Sequence, residues 1–298
     1  MAPLRIAIAQ TAPRLGALEE NLARHAALIG AAREQGARLV VFPELGLTGY
    51  LLQDLAGEVA MRLDDPRLAS LAATTGDAAA IVSFVEEADD HRLFISAALL
   101  EGGVVRHVHR KVYLPTYGLF DERRFFAAGS IFRAVRSETL GLSIGIAVCE
   151  DFWHLGSPQL LALDGAHLLV NVSSSPGRDV AAVNAEGLGT AASWRALVRT
   201  YAQLTGSYVV FANRVGVDES LTFWGGSEVV GPSGATVAQA PLHDEALLLA
   251  TIDPAEVRRE RVAVPLLRDE RPEVLLRQLD RIVRVRAGDD AAGEGTPG

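Results

Sequence analysis

The chain has a single cysteine in 298 residues, Cys149, which excludes an internal disulfide and agrees with a reducing compartment. It has no uncharged apolar run of about 18 residues, so no membrane-spanning helix is expected. It also opens without the charged and apolar regions of a secretory leader, and a cytoplasmic location is the expectation. Positive charge is in deficit: 28 Lys and Arg stand against 37 Asp and Glu, for a net charge of −9. Phosphate backbones need a basic face, so nucleic acid is not an expected partner; small molecules and proteins are. No internal repeat or break in composition divides the sequence. With 49% hydrophobic residues it can bury a sizeable core, and a single domain over 1–286 is expected. The last twelve residues, A-G-D-D-A-A-G-E-G-T-P-G (287–298), have no apolar anchors and are expected to be disordered.

What is present is an alternation of strand-like and helix-like runs. Arg5 to Gln10 reads as a strand, and Leu18, Leu22, Ala26 and Ile29 recur at helical spacing before Gly36 offers a C-cap. A second strand, Arg38 to Phe42, runs into Pro43-Glu44. Asp65-Pro66 starts a helix as N-cap and first-turn proline, and Gly76 ends it. Ile81 to Val85, Leu93 to Leu100 and Val104 to Val112 read as strands, the last two joined by a Glu101-Gly102-Gly103 turn. From Leu114 to Ser130 the text has no period and is rich in aromatics and charge, which marks a site more than a connector. Leu140 to Val148 is a further strand, then a short helix near Ser157-Pro158, a strand over Leu168 to Val172 and a polar stretch from Ser173 to Gly189. A helix from Thr190 to Leu204, a strand over Tyr208 to Ala212 and a hairpin within Gly225 to Ala240 follow. The alternation predicts an α/β sandwich with helices covering the sheets.

Three apolar strands end in chemistry. Cys149 closes the run Leu140 to Val148, Glu44 follows the strand ending at Phe42, and Lys111 sits at the end of the strand from Val104. A thiol nucleophile needs a base for its proton and a positive group for the oxyanion it creates. Taken singly, each residue has a plainer reading: a small core hydrophobe for the cysteine, surface charge for the other two.

The segments F-P-E-L-G-L-T-G-Y (Phe42 to Tyr50), H-R-K-V-Y-L-P-T-Y-G-L-F-D-E (His109 to Glu122) and C-E-D-F-W (Cys149 to Trp153) resemble the nitrilase, or carbon-nitrogen hydrolase, superfamily. The resemblance runs from about residue 4 to 275. It implies a four-layer α-β-β-α sandwich that pairs through its helices, with a Glu44-Lys111-Cys149 triad, a second glutamate at Glu122 and no metal or organic cofactor. The implied mechanism is attack of Cys149 on an amide carbon, with Glu44 moving the proton. Lys111 and the N–H of Glu150 would hold the oxyanion, and water would then release a thioester. True nitrilases resemble one another in having Trp directly after the cysteine, which Cys149-Glu150-Asp151 lacks, so nitrile hydrolysis is not expected.

The wording around Lys111 and Cys149 looks most like the glutamine amidohydrolase domain of glutamine-dependent NAD synthetases. That resemblance implies a glutamine-type site at Tyr117, Phe120, Glu150, Ser175 and Arg178. W-R-A-L-V-R-T-Y-A and V-F-A-N-R-V-G read more like the amidase and carbamoylase branches, so N-carbamoyl amino acids and aliphatic amides stay open beside a glutamine-like ω-amide. No S-G-G-x-D-S pyrophosphatase loop occurs, so if the ammonia is destined for a synthetase, that partner is expected as a separate chain. The resemblance, with the apolar stretch Val262 to Leu267 and a helix over Val274 to Val283, predicts a homodimer or higher oligomer.

Competing readings rank lower. Gly187 to Ala192 fits G-x-G-x-x-A but does not directly follow a strand. His107, His109 and His154 lack the acidic or cysteine partners of a metal site. A Cys149–His154 pair explains fewer residues than the Glu-Lys partners, and a non-catalytic binding relative would have no reason to keep a carboxylate and an amine beside a thiol.

Overall fold

A computed structural model of the chain describes residues 2–177, 189–218 and 221–287. The opening segment is β1 (Leu4–Gln10), α1 (Leu18–Glu34) and β2 (Leu39–Val41), followed by α2 (Pro66–Ala73), β3 (Ala79–Glu87), β4 (Leu93–Glu101) and β5 (Val104–Arg110). Asp65 caps α2, its side chain accepting the Arg67 N–H at 2.8 Å, with Pro66 in the first turn. Gly102 and Gly103, both at positive φ, close the tight β4–β5 hairpin. Next come a short helix α3 (Glu122–Phe125), β6 (Ala134–Ser137), β7 (Leu142–Val148), α4 (Gly156–Leu163), β8 (Leu168–Ser173), α5 (Gly189–Thr205) and β9 (Tyr208–Asn213). The ribbon β10 (Val215–Asp218) and β11 (Leu221–Trp224), the hairpin β12 (Glu228–Val230) and β13 (Thr236–Gln239), and β14 (Ala246–Ile252) complete the strands. Three helices end the described chain: α6 (Pro254–Ala263), α7 (Leu266–Asp269) and α8 (Pro272–Ala287).

The strands form two six-stranded mixed sheets, β14-β1-β2-β3-β4-β5 and β13-β12-β9-β8-β7-β6, each with three adjacent parallel strands at its centre. Alternation explains why these strands read as unbroken apolar runs: each is buried on both faces. Ile6, Ile8, Leu39 and Val41 point into the core between the sheets. Ala7, Ala9, Val40 and Phe42 point the other way, onto Leu18, Leu22 and Ile29 of α1 and Leu68 and Leu71 of α2. On the far side α4 and α5 cover the second sheet with Leu161, Trp194, Val198 and Tyr201. The result is the expected α-β-β-α sandwich.

The differences from the sequence reading lie in short elements. β5 stops at Arg110 rather than Val112, the loop after Leu114 contains the four-residue α3, and β6, β14 and the β10–β11 ribbon were not expected. β14 returns from the C-terminal part to pair antiparallel with β1, from Leu4 opposite Ile252 to Gln10 opposite Ala246. The expected tail lies outside the described residues beyond 287.

One buried acid sits in the second sheet without a hydrogen-bond partner for its Oε2 among the described residues: Glu228 of β12. Burial pushes its carboxyl up to about 7, against the pull of Arg199 and Arg195. A carboxyl raised on folding contributes stability that is full below its unfolded value near 4.5 and is lost as pH rises through about 7. Glu228→Gln, neutral at every pH, is therefore expected to stabilise by about 2 kcal/mol near pH 8.5 and to match wild type near pH 4. Calorimetric melts at the two pH values check this; an offset independent of pH would contradict it.

Candidate active site

The parallel strands end on one side of the sandwich. Three residues beyond β2, Glu44 is fixed by its backbone as well as its side chain: its carbonyl accepts the Ser174 hydroxyl at 2.8 Å, and the next N–H, of Leu45, donates to Ser83 Oγ at 3.0 Å. Leu45 takes a left-handed conformation there, with φ 49°. Lys111 directly follows β5, where its N–H donates to the Ile95 carbonyl at 2.8 Å and its carbonyl accepts from Gly129 at 2.7 Å. That approach requires a glycine, because a Cβ at residue 129 would lie 2.2 Å from the Arg110 carbonyl oxygen. Cys149 follows β7 at the start of a 3₁₀ turn running to Trp153, and its φ of 43° is in the left-handed region that non-glycine residues avoid. Such strain costs about 1–3 kcal/mol and persists where surroundings over-determine it, as at reactive centres.

The side chains converge. Lys111 Nζ donates to Glu44 Oε1 and to Glu122 Oε1, both at 2.8 Å, and all three are almost wholly buried. Glu44 Oε2 accepts the Ser174 N–H at 2.8 Å, and Tyr50 donates to Glu122 Oε1 at 2.6 Å. Tyr50 and Ser174 are site residues that carried no role in the sequence reading. Tyr50 ends the F-P-E-L-G-L-T-G-Y segment, and Ser174 lies just past the buried strand β8, so both positions were visible even though their partners were not.

Burial dominates the electrostatics. It would lower the Lys111 ammonium, but the carboxylates of Glu122 and Glu44 more than offset it and hold the amine well above its usual range. Burial pushes Glu122 up to about 7, with Lys111 pulling down and Glu44 pushing up. The Cys149 thiol is raised by burial and by the Glu44 carboxylate, against the pull of Lys111. The resting sulfur is thus protonated, and attack needs a base to remove that proton as the new bond forms.

Four of the five expected substrate contacts surround this centre. Tyr117 donates to Glu150 Oε2 at 2.9 Å, and burial raises the Glu150 carboxyl while that bond lowers it. Phe120 stands edge-on to both Tyr117 and Tyr50, at centroid separations of 5.7 and 6.5 Å. Ser175 is held from both sides: its N–H donates to Asn213 Oδ1 and its Oγ accepts from Trp194 Nε1, both at 2.9 Å. Arg178 lies outside the described residues. Another cation is nearby: the buried Arg214, whose pKa is lowered by its burial, pairs with Asp218 at 2.6 Å and stacks on Phe223 at 4.1 Å.

The histidines have other duties. His109 bonds Asp151 at 2.8 Å, and His154 stacks on Tyr113 at 3.5 Å. Among the described residues no group of three His, Cys, Asp or Glu side chains is arranged to hold a metal ion. The G-x-G-x-x-A stretch begins outside the described residues; its second glycine, Gly189, is the first residue of α5.

Comparison with known proteins agrees with this architecture. Residues 5–261 match the carbon-nitrogen hydrolase family. A glutamine-dependent NAD(+) synthetase from Thermotoga maritima is 31% identical over 270 residues, covering 89% of this chain and 45% of that protein, so the chain spans about half the length of this relative. The crystal structure of a carbon-nitrogen hydrolase from Helicobacter pylori G27 superposes with a TM-score of 0.79 at 27% identity, covering 91% of this chain and 96% of that one. An amidase from Nesterenkonia sp. AN1, solved with the acetamide moiety of fluoroacetamide added covalently at its active-site cysteine, gives a TM-score of 0.75 at 26% identity, with 92% and 96% covered. Family match and fold together place the chain in the carbon-nitrogen hydrolase family of the nitrilase superfamily, as a carbon-nitrogen hydrolase.

Proposed function

We propose that the chain hydrolyses a small linear amide through a thioester on Cys149. The observation that carries the reading is the buried Glu44–Lys111–Glu122 cluster, whose charges reach the Cys149 thiol. As sulfur attacks the amide carbon, Glu44 takes the thiol proton. The oxyanion is held by Lys111 and by the N–H of Glu150, which sits in the first turn of a helix, where donors have no helical acceptor. Glu44 passes the proton to the departing nitrogen, and ammonia leaves with the C–N bond broken. Water then gives a proton to Glu44 and its hydroxyl to the thioester carbon, with Glu122 orienting it, and the carboxylic acid leaves as the thiol is restored.

The favoured substrate is a glutamine-like ω-amide. The glutamine-dependent relatives support it, as does Glu150, which follows Cys149, is held by Tyr117 and is suited to a substrate ammonium group. Arg178 is proposed to receive the substrate carboxylate. The amidase neighbour favours a second reading, a plain aliphatic amide, and N-carbamoyl amino acids are the third. Ammonia release measured across glutamine, an N-carbamoyl amino acid and butyramide tests the order. Glutamine is expected to give the highest kcat/KM, with glutamate as product; a preference for butyramide would make the chain an aliphatic amidase. The ammonia is assigned to a synthetase outside these 298 residues.

A second copy of the chain is the proposed partner in solution. α8 carries Leu276, Leu279 and Val283 at helical spacing with roughly half or more of each exposed, and Leu155 and Leu160 add exposed apolar surface on and beside α4. Such a stripe calls for cover. Light scattering at micromolar concentration is expected to give at least twice the 31.7 kDa of one chain; a monomer would refute the assignment. We take 1–286 as one domain.

A further inference from the structure

Asp151 is wholly buried and contributes nothing to the proposed proton transfers, yet its carboxylate is saturated with hydrogen bonds. Oδ1 accepts the backbone N–H groups of Val112 at 3.1 Å and Tyr113 at 3.0 Å. Oδ2 accepts the N–H of Val148 at 2.9 Å and Nε2 of His109 at 2.8 Å. Val112 and Tyr113 directly follow Lys111, His109 precedes it by two residues, and Val148 directly precedes Cys149. One carboxylate is therefore tied to both sides of the amine and to the turn that carries the thiol.

Other bonds fix Lys111 on its own sheet, and Ser174 ties Glu44 to the second sheet, but the Asp151 carboxylate joins the segment of Lys111 directly to the turn of Cys149. β5, which leads to Lys111, is the edge of one sheet; β7, which leads to Cys149, belongs to the other, so no ladder of backbone bonds runs between them. The bond from Val148 also closes the turn where Cys149 takes its strained φ of 43°. His109 can donate only with its proton on Nε2, and the carboxylate selects that tautomer. Its ring is buried, tilted against Phe132 at 5.4 Å.

We infer that Asp151 and His109 are positioning residues: the His109–Asp151 bridge sets the spacing of the Lys111 ammonium and the Cys149 thiol across the two sheets without touching substrate. The inference rests on the proposed pairing of Lys111 with Cys149 in the reaction. An error of about 1 Å in such spacing lowers turnover about 10²-fold.

Three variants test it. Asp151→Asn keeps the volume but places an NH₂ against backbone or histidine donors whichever way the amide turns. His109→Ala removes one donor, and His109→Gln returns a donor near the place of Nε2. The expected result is a fall in kcat of about 10²-fold for Asp151→Asn and His109→Ala with KM within about twofold, and recovery of most of that loss in His109→Gln. Alkylation of Cys149 by iodoacetamide, read by mass spectrometry on folded protein, is expected to slow in the same order and needs no assumption about substrate. A purely structural brace would lower the melting temperature while leaving kcat per folded molecule and the alkylation rate unchanged, and that outcome overturns the inference. So does equal impairment of His109→Ala and His109→Gln. If Asp151→Asn does not fold, the two His109 variants decide. Full activity in Cys149→Ala would instead remove the nucleophile assignment, a separate failure.

Discussion

Cys149→Ala is expected to lower amide turnover by roughly 10⁴- to 10⁶-fold while leaving the fold intact. The sulfur is the one atom at the end of β7 able to form a thioester, and the remaining cluster has no other nucleophile placed by a strained turn. Loss of the sulfur should cost only about 1 kcal/mol of packing, since Cys149 is small and retains 8% of its surface. It also removes a group whose charged form burial and Glu44 disfavour. Ammonia release and circular dichroism measured on one preparation check both halves. Substantial turnover with a native spectrum would end the thioester mechanism. Glu44→Gln should be nearly as inactive, and the double variant no worse than either alone, because base and nucleophile act on one proton.

The sequence carried this much of the site because each reactive residue follows a strand, and the strands before Glu44 and Cys149 are buried almost throughout. Phe42-Pro43-Glu44 and Val148-Cys149 each announce a rim by a change from apolar to chemical residues, whereas Lys111 follows the mixed edge strand β5. What such a pattern cannot express is which rims face each other. Lys111 and Glu44 meet because β5 and β2 lie in one sheet although 67 residues separate the two side chains, and Glu122, 11 residues on, returns to them from the start of α3. Four-residue elements such as α3, β6 and β10 are too short to show a period, and α3 is the one hidden in the stretch from Leu114 to Ser130 that read as loop. Asp151 shows the limit most clearly. In the sequence it is one more acid after Cys149-Glu150, and only the fold reveals that its acceptors are filled by backbone N–H groups some 40 residues away.

Lys111→Met should be as inactive as the cysteine variant and, unlike it, unstable. The ammonium holds two buried carboxylates at 2.8 Å, and taking away the shared cation leaves both buried without their counter-charge. Breaking a buried ion pair from one side costs about 3–5 kcal/mol, against about 1 kcal/mol for the lost sulfur. The pH dependence identifies the cause. Glu122 already titrates near 7 in the folded chain because burial raises it, and Lys111 is the strongest influence pulling it down, so the variant moves it higher still. A carboxyl raised on folding gives stability that is full below about 4.5 and disappears as pH climbs through its folded value. The deficit of Lys111→Met relative to wild type should therefore be smallest near pH 5 and widen toward pH 8.5, as measured by thermal or urea unfolding at both. Adding Glu122→Gln to Lys111→Met removes one of the stranded charges, so it should recover stability at the higher pH without recovering turnover. A deficit that stays constant with pH, or a double variant that is additive in stability, would mean that Lys111 supports the fold through its hydrocarbon stem and not through the charge it places between Glu44 and Glu122.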